Sequence, residues 1–319
     1  MNIFNKYPVL IAEIDTDFRD IAKQEGISET EVAKYVIDEA KECGITAVEF
    51  QSDFNTSSKL NADEYIELAS YCKETGMMFL STCYDDSLEE FVDVYKIESG
   101  DLINIPFIKF IASKNKPIIL STGASTIREV KQAVNAIEEV STVDIAIMHC
   151  VLSFPTSYED ANLFMIKDLA ENFPEYEIGY CDHTIPDKDM MVLTTAYNYG
   201  AKILEKHFVI DKALSCVNSE HAMDPDDIIK FKWNLNFLSK INGRKNKQPL
   251  ICESSTRKEM RKSIFSAKDI KKGSKISLDD LTFKTPGTGI YPSEIDDIVG
   301  RIAKEDIKKD ILIDFDMFD

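Results

Sequence analysis

The feature that most constrains this chain is an alternation that starts at its beginning and runs for some 240 residues. Eight short apolar runs, each too short for a buried helix, are separated by stretches with helical periodicity. The strand-like runs are VLIAEI (9–14), AVEFQ (47–51), MFLSTC (78–83), VYKIES (94–99), PIILST (117–122), DIAIMHC (144–150), EIGYCDH (177–183) and ILEKHF (203–208). Helical periodicity falls at 29–44, 61–76, 125–140 and 188–200, with Gly44, Gly76 and Gly200 just past an apolar face, where a left-handed cap ends a helix. A further helix over 224–241 opens with Asp224 and Pro225. Near-continuous apolar strands alternating with helices specify a parallel sheet covered on both faces. Eight such units fit a closed (β/α)8 TIM barrel in number and length. A doubly wound open sheet is the competing architecture, but no glycine-rich phosphate turn follows the first strand.

The barrel is expected over 1–241. A polar stretch opening NGRKNKQP (242–249) reads as a linker, taken over 242–257. Short strand-like pieces broken by Gly and Pro then fill 258–319, too few for a second large domain but enough for a compact β-rich module.

Charge narrows the partners. The chain of 319 residues carries a formal charge of −19. Residues 251–319 hold 13 basic and 14 acidic side chains, so the first 250 carry −18. A barrel at that charge repels a polyphosphate backbone, which argues against nucleic acid. A small anionic substrate then needs a local cation. Seven scattered cysteines without a CxxC pair read as reduced thiols, and neither a signal peptide nor an 18-residue apolar span is visible. A cytoplasmic enzyme is the expectation. Trp233, alone of its type, is expected in the core.

In a barrel of this kind reacting groups sit at the C-terminal ends of the strands. Those ends are polar: Glu13, Glu49, Gln51, Ser81, Thr82, Lys96, Ser99, Ser121, Thr122, His149, Asp182, His183, Glu205 and His207. His183 and His207 end neighbouring strands and form a candidate metal pair, with Asp182 placed to orient His183. The alternative for a single strand-end histidine is a hydrogen bond to a loop. Lys96 among Thr82, Ser99 and Ser121 makes an anion cradle, the alternative being a lysine that snorkels to the surface.

At these residues the chain resembles the sialic acid synthase family, including the N-acetylneuraminate, pseudaminate and legionaminate synthases. The resemblance rests on IAEI (11–14), FLST (79–82), the stretch 95–123 with its KIESG and LSTG, HCVLSFPTSYEDANL (149–163), DHT (182–184) and EKHF (205–208). In the tail RKSIFSAKDIKKG (261–273) and KTPGTGI (284–290) resemble the family's antifreeze-like (SAF, β-clip) domain. The resemblance implies condensation of phosphoenolpyruvate with an open-chain N-acylated hexosamine, forming a nonulosonic 2-keto acid and phosphate. It implies Mn²⁺ or Mg²⁺ on His183 and His207. It also implies a donor site at Thr82, Lys96, Ser99 and Ser121, a sugar site at Glu13 and Gln51, and an acid at Asp101 that manages the water proton. A homodimer with exchanged tail domains follows by the same route.

The chain departs from the family pattern at EIDTDFRD (13–20), at Val151 and Leu152, at Phe154 (a tyrosine position), at Cys181 (a serine position) and at Thr285 (an arginine position). The largest departure is Glu49, where the pattern has a lysine that holds phosphoenolpyruvate. Two other readings therefore stand beside the synthase: an aldolase- or lyase-like relative with another donor, and a catalytically silent sugar-binding paralogue.

Overall fold

In a computed structural model of the chain, which describes residues 8–14, 17–50, 61–82, 86–213 and 219–319, all eight runs are strands. They are β1 (Val9–Ile14), β2 (Ala47–Phe50), β3 (Met78–Ser81), β4 (Val94–Ile97), β5 (Ile118–Ser121), β6 (Ile145–His149), β7 (Glu177–Asp182) and β8 (Ile203–His207). Each pairs in parallel with the next, and β1 closes on β8 with Glu13 opposite His207. The barrel expectation holds. Gln51, expected to touch the sugar, lies outside the described residues.

Helices α1 (Asp17–Glu25), α2 (Glu29–Glu42), α3 (Ala62–Thr75), α4 (Ile105–Ala112), α5 (Ile127–Glu138), α6 (Met165–Asn172), α7 (Met191–Asn198) and α8 (Pro225–Asn242) accompany the strands. Their starts are chemically specified. Asn61 accepts from the Glu64 amide before α3, and Thr126 does the same for Glu129 before α5, both as capping boxes. Three helices escaped the sequence reading: α1, α4 and α6. The last two span only eight residues each, about two turns, too short for a clear period.

Side-chain parity divides the strands into two faces. Tyr95, Ile97, Leu120, Ile147, Tyr180 and Leu204 pack outward among the helices. Val9, Ile11, Ala47, Leu80, Val94, Ile119, Ala146, Met148 and Ile203 fill the interior. The barrel floor is therefore apolar. Gly179 is required there, because a Cβ on it would lie 2.7 Å from the Ile203 carbonyl and 2.1 Å from the Met148 sulfur. Trp233 is not core: it is 64% exposed and stacks on Phe237, one turn along α8.

Compact units span 1–242 and 243–319. Within the second, α9 (Ser254–Met260) begins in the stretch read as a linker and runs past its end at 257. Antiparallel β9 (Ser263–Ser266) and β10 (Leu281–Lys284) follow, packed on a core of Ile264, Ile276, Ile298 and Phe318. Gly287 packs against the backbone of Arg261, leaving no room for a side chain.

Candidate active site

Continuing each interior row upward by two residues replaces apolar side chains with Glu13, Glu49, Lys96, Ser121, Cys150, Cys181, His183, Glu205 and His207. All are buried. A cavity of about 460 Å³ opens onto this layer, lined by Glu13, Glu98, Ser99, Ser121, Cys150, Cys181, His183, Glu205 and His207, with Leu152, Phe154 and His221 above.

Lys96 sits at the base. Its Nζ is 2.8 Å from Glu49 Oε2, 2.7 Å from Glu205 Oε1 and 3.5 Å from Glu98. Lys96 is fully buried, so it is not a snorkelling surface lysine. Burial alone would pull its pKa down, but Glu205 and Glu49 override that and hold it well above the usual value. The same burial pushes Glu49 well above the carboxylate range despite the attraction of Lys96. Glu13 is pushed up to about 7 by burial, against Lys96 and with Glu205. Among the described residues, Glu49 Oε1, Glu205 Oε2 and Ser121 Oγ are buried without a hydrogen-bond partner.

The histidines divide by role. His149 donates from Nε2 to the Ala161 carbonyl at 2.9 Å, the loop-anchoring alternative. His183 instead places Nδ1 2.8 Å from the Val151 carbonyl, which fixes the ring and turns Nε2 toward Cys181 Sγ at 3.4 Å. A backbone carbonyl on one ring nitrogen is the usual arrangement behind a metal-binding imidazole. Burial lowers the His183 pKa, favouring the neutral, ligating form. His207 Nε2 lies 3.3 Å from Glu13 Oε2. The two rings are 6.0 Å apart, centre to centre. Donor atoms of Glu13, Cys181 and His183 all lie within 4.8 Å of one another. Imidazole, carboxylate and thiol donors fit a divalent transition ion.

Several expected roles change. Asp182 does not orient His183. It faces the helices, where Oδ2 accepts from Lys206 Nζ at 2.8 Å and Oδ1 from the Tyr180 hydroxyl and the Thr184 amide. The reason is parity: the interior neighbours are Cys181 and His183. Asp101 does not line the cavity; it ends a 3-10 turn and accepts from the Asn104 amide nitrogen at 3.0 Å. Glu98, one residue before that turn and absent from the sequence reading, reaches the cavity instead. Thr82 lies behind the site, donating to the Lys96 carbonyl at 2.8 Å. Ser99 Oγ accepts from the Gly123 amide at 3.0 Å and contacts Cys150 Sγ. The Phe154 ring covers His183 at 4.4 Å and is 57% exposed. Thr285 lies exposed in the second unit, ahead of Pro286. Reading each strand at a spacing of two would have added Cys150 and set it in one layer with Glu205 and Cys181, which the strand ends and the family comparison had already singled out.

A closed parallel barrel with a charged, donor-rich mouth, followed by a small β module, defines a (β/α)8 enzyme-type scaffold with a tail domain. The chain belongs to the NeuB family, which matches residues 47–247, and its residues 261–319 match the SAF domain. An uncharacterised protein of Methanocaldococcus jannaschii is 35% identical, covering 90% of this chain and 89% of its own length. The N,N'-diacetyllegionaminic acid synthase of Legionella pneumophila is 31% identical, covering 85% of each chain. The crystal structure of a Bacillus subtilis spore coat polysaccharide biosynthesis protein is 28% identical, with a TM-score of 0.63 over 98% of this chain and 95% of that one.

Proposed function

We propose that this chain is a metal-dependent synthase that condenses phosphoenolpyruvate with an open-chain N-acylated hexosamine. The carrying observation is the mouth layer in a NeuB-family barrel: Glu13, His183, His207, Ser99 and Ser121 line one cavity, and buried Lys96 pairs with Glu205 of the same lining. The legionaminic acid synthase among its relatives supports the product class, a nonulosonic 2-keto acid. A divalent ion, Mn²⁺ or Mg²⁺ by the family resemblance, supplies polarisation of the aldehyde oxygen when bound at His183 and His207.

The chain's own groups do the rest. Ser121 and Ser99 donate to the anionic donor, and buried Lys96 supplies the positive charge below it. The enol carbon bonds to the aldehyde carbon, water adds at the phosphate-bearing carbon, and the C–O bond to phosphate breaks. The water proton needs an acceptor with a pKa near neutrality. Glu13, raised to about 7, meets that condition and lines the cavity, which Asp101 does not. The homodimer with exchanged tail domains and a cytoplasmic setting complete the proposal.

One observation favours a second reading. Lys96 already faces Glu49 and Glu205, so the donor site carries excess negative charge. That suits an aldolase-like relative with a less anionic donor, or a silent paralogue. Phosphate release from phosphoenolpyruvate, measured with a panel of N-acyl hexosamines and with or without Mn²⁺, decides. Release that needs both metal and sugar supports the synthase; no release with any sugar refutes it.

A further inference from the structure

The Cys181 thiol sits where the proposed chemistry uses no thiol. It is buried where the apolar interior of the barrel ends, and its sulfur meets polar groups: Sγ donates to Glu205 Oε1 at 2.9 Å and lies 3.4 Å from His183 Nε2. An inert core cysteine packs among apolar groups. This one is on the interior row of β7, between an apolar floor and the mouth. With Glu13 and His183 it forms a set of three donors mutually within 4.8 Å.

The spacings match shared coordination. Sulfur at about 2.3 Å and imidazole nitrogen at about 2.0–2.1 Å from one tetrahedral ion lie roughly 3.5 Å apart. Cys181 Sγ and His183 Nε2 are 3.4 Å apart. His207 closes the same layer, its ring 6.0 Å from that of His183, centre to centre. Nδ1 of His183 is occupied by the Val151 carbonyl, so Nε2 is the nitrogen that faces the sulfur. Ser121 Oγ, 2% exposed and without a partner among the described residues, lines the same cavity.

We infer that Cys181 is a protein ligand of the metal at the barrel mouth, adding a thiolate to the imidazoles of His183 and His207, with Glu13 beside them. Binding breaks the S–H bond and forms the sulfur–metal bond, and the proton passes to Glu205. A thiolate shifts selectivity toward borderline-soft ions, placing Zn²⁺, Co²⁺ and Fe²⁺ ahead of Mg²⁺. His207 remains the second imidazole of that set, with Glu13 Oε2 3.3 Å from its Nε2. The inference deepens the proposed function, since it concerns the ion that reading requires.

Full-length protein loaded with Co²⁺ gives the test. Thiolate ligation produces an intense near-ultraviolet sulfur-to-cobalt charge-transfer band, which oxygen and nitrogen ligands do not. The wild type is expected to show the band, and Cys181→Ser to lose it. Zn²⁺ affinity in that variant should fall by more than the roughly 10–100-fold typical of losing an outer partner. Zinc X-ray absorption on the wild type provides a readout independent of the variant's folding, with a sulfur scatterer expected at about 2.3 Å. Cobalt bound without the band, a band that survives in Cys181→Ser, or a zinc shell without sulfur overturns the inference. Each leaves the synthase reading standing if metal-dependent phosphate release persists, whereas absent release with a sulfur-ligated ion refutes the synthase alone.

Discussion

Replacing Glu49 by Gln isolates the charge that most distinguishes this site. Glu49 Oε2 lies 2.8 Å from Lys96 Nζ, so a phosphate drawn toward Lys96 approaches the carboxylate to within about 4 Å. At an effective dielectric near 20 a like-charge pair at that distance costs about 4 kcal/mol. With Glu49 fully ionised, the Gln variant would gain roughly a thousandfold in affinity for phosphoenolpyruvate. Burial holds Glu49 well above the carboxylate range, which lowers its ionised fraction and shrinks that ceiling. The expected gain is therefore at least about tenfold, below the ceiling. Lys96 keeps Glu205 at 2.7 Å in the variant, so the buried ammonium is not stranded. Calorimetric titration of metal-loaded protein with phosphoenolpyruvate near physiological ionic strength measures the change. Wild-type affinity should also improve as the pH falls and Glu49 becomes neutral, while the Gln variant lacks that component. A dissociation constant within about threefold of wild type, at equal metal content, would refute the argument.

Other expectations follow from neighbouring groups. Glu13, at about 7 when folded against 4.5 as its ordinary value, contributes stability that is fully present below 4.5 and is lost as the pH rises through 7. That loss is on the order of 3 kcal/mol in metal-free protein. Melting temperatures between pH 5 and 8 should therefore fall less steeply for Glu13→Gln; equal slopes would remove Glu13 as the cause. Asp182→Ala strands the buried Lys206 ammonium and should destabilise the fold by about 3–5 kcal/mol in urea, leaving metal stoichiometry unchanged. Metal loss in still-folded Asp182→Ala would restore it to the site. Ser121→Ala removes an unpartnered buried hydroxyl, so stability should hold or rise by up to about 1 kcal/mol while phosphoenolpyruvate affinity drops roughly tenfold. A stability loss with unchanged affinity would make Ser121 structural instead.

Much of this protein was legible in the sequence because its information is local. The eight strands are short apolar runs bounded by helices whose caps, such as Asn61 with Glu64, are written a few residues apart. The residue types at the mouth follow from the same runs, since a strand that turns polar at its C-terminal end has to present those groups somewhere. Tertiary structure decided which of two adjacent polar residues reaches the interior. A period of two makes that choice all or none, so Asp182 and Lys206 pair outward while Cys181 and Glu205 meet inside. It also decided the fate of Lys96, whose partners Glu49 and Glu205 lie 47 and 109 residues away. No local pattern encodes such contacts. They exist because β1 closes on β8, bringing the ends of distant strands into one low-dielectric layer where unpaired charge is too costly to leave alone.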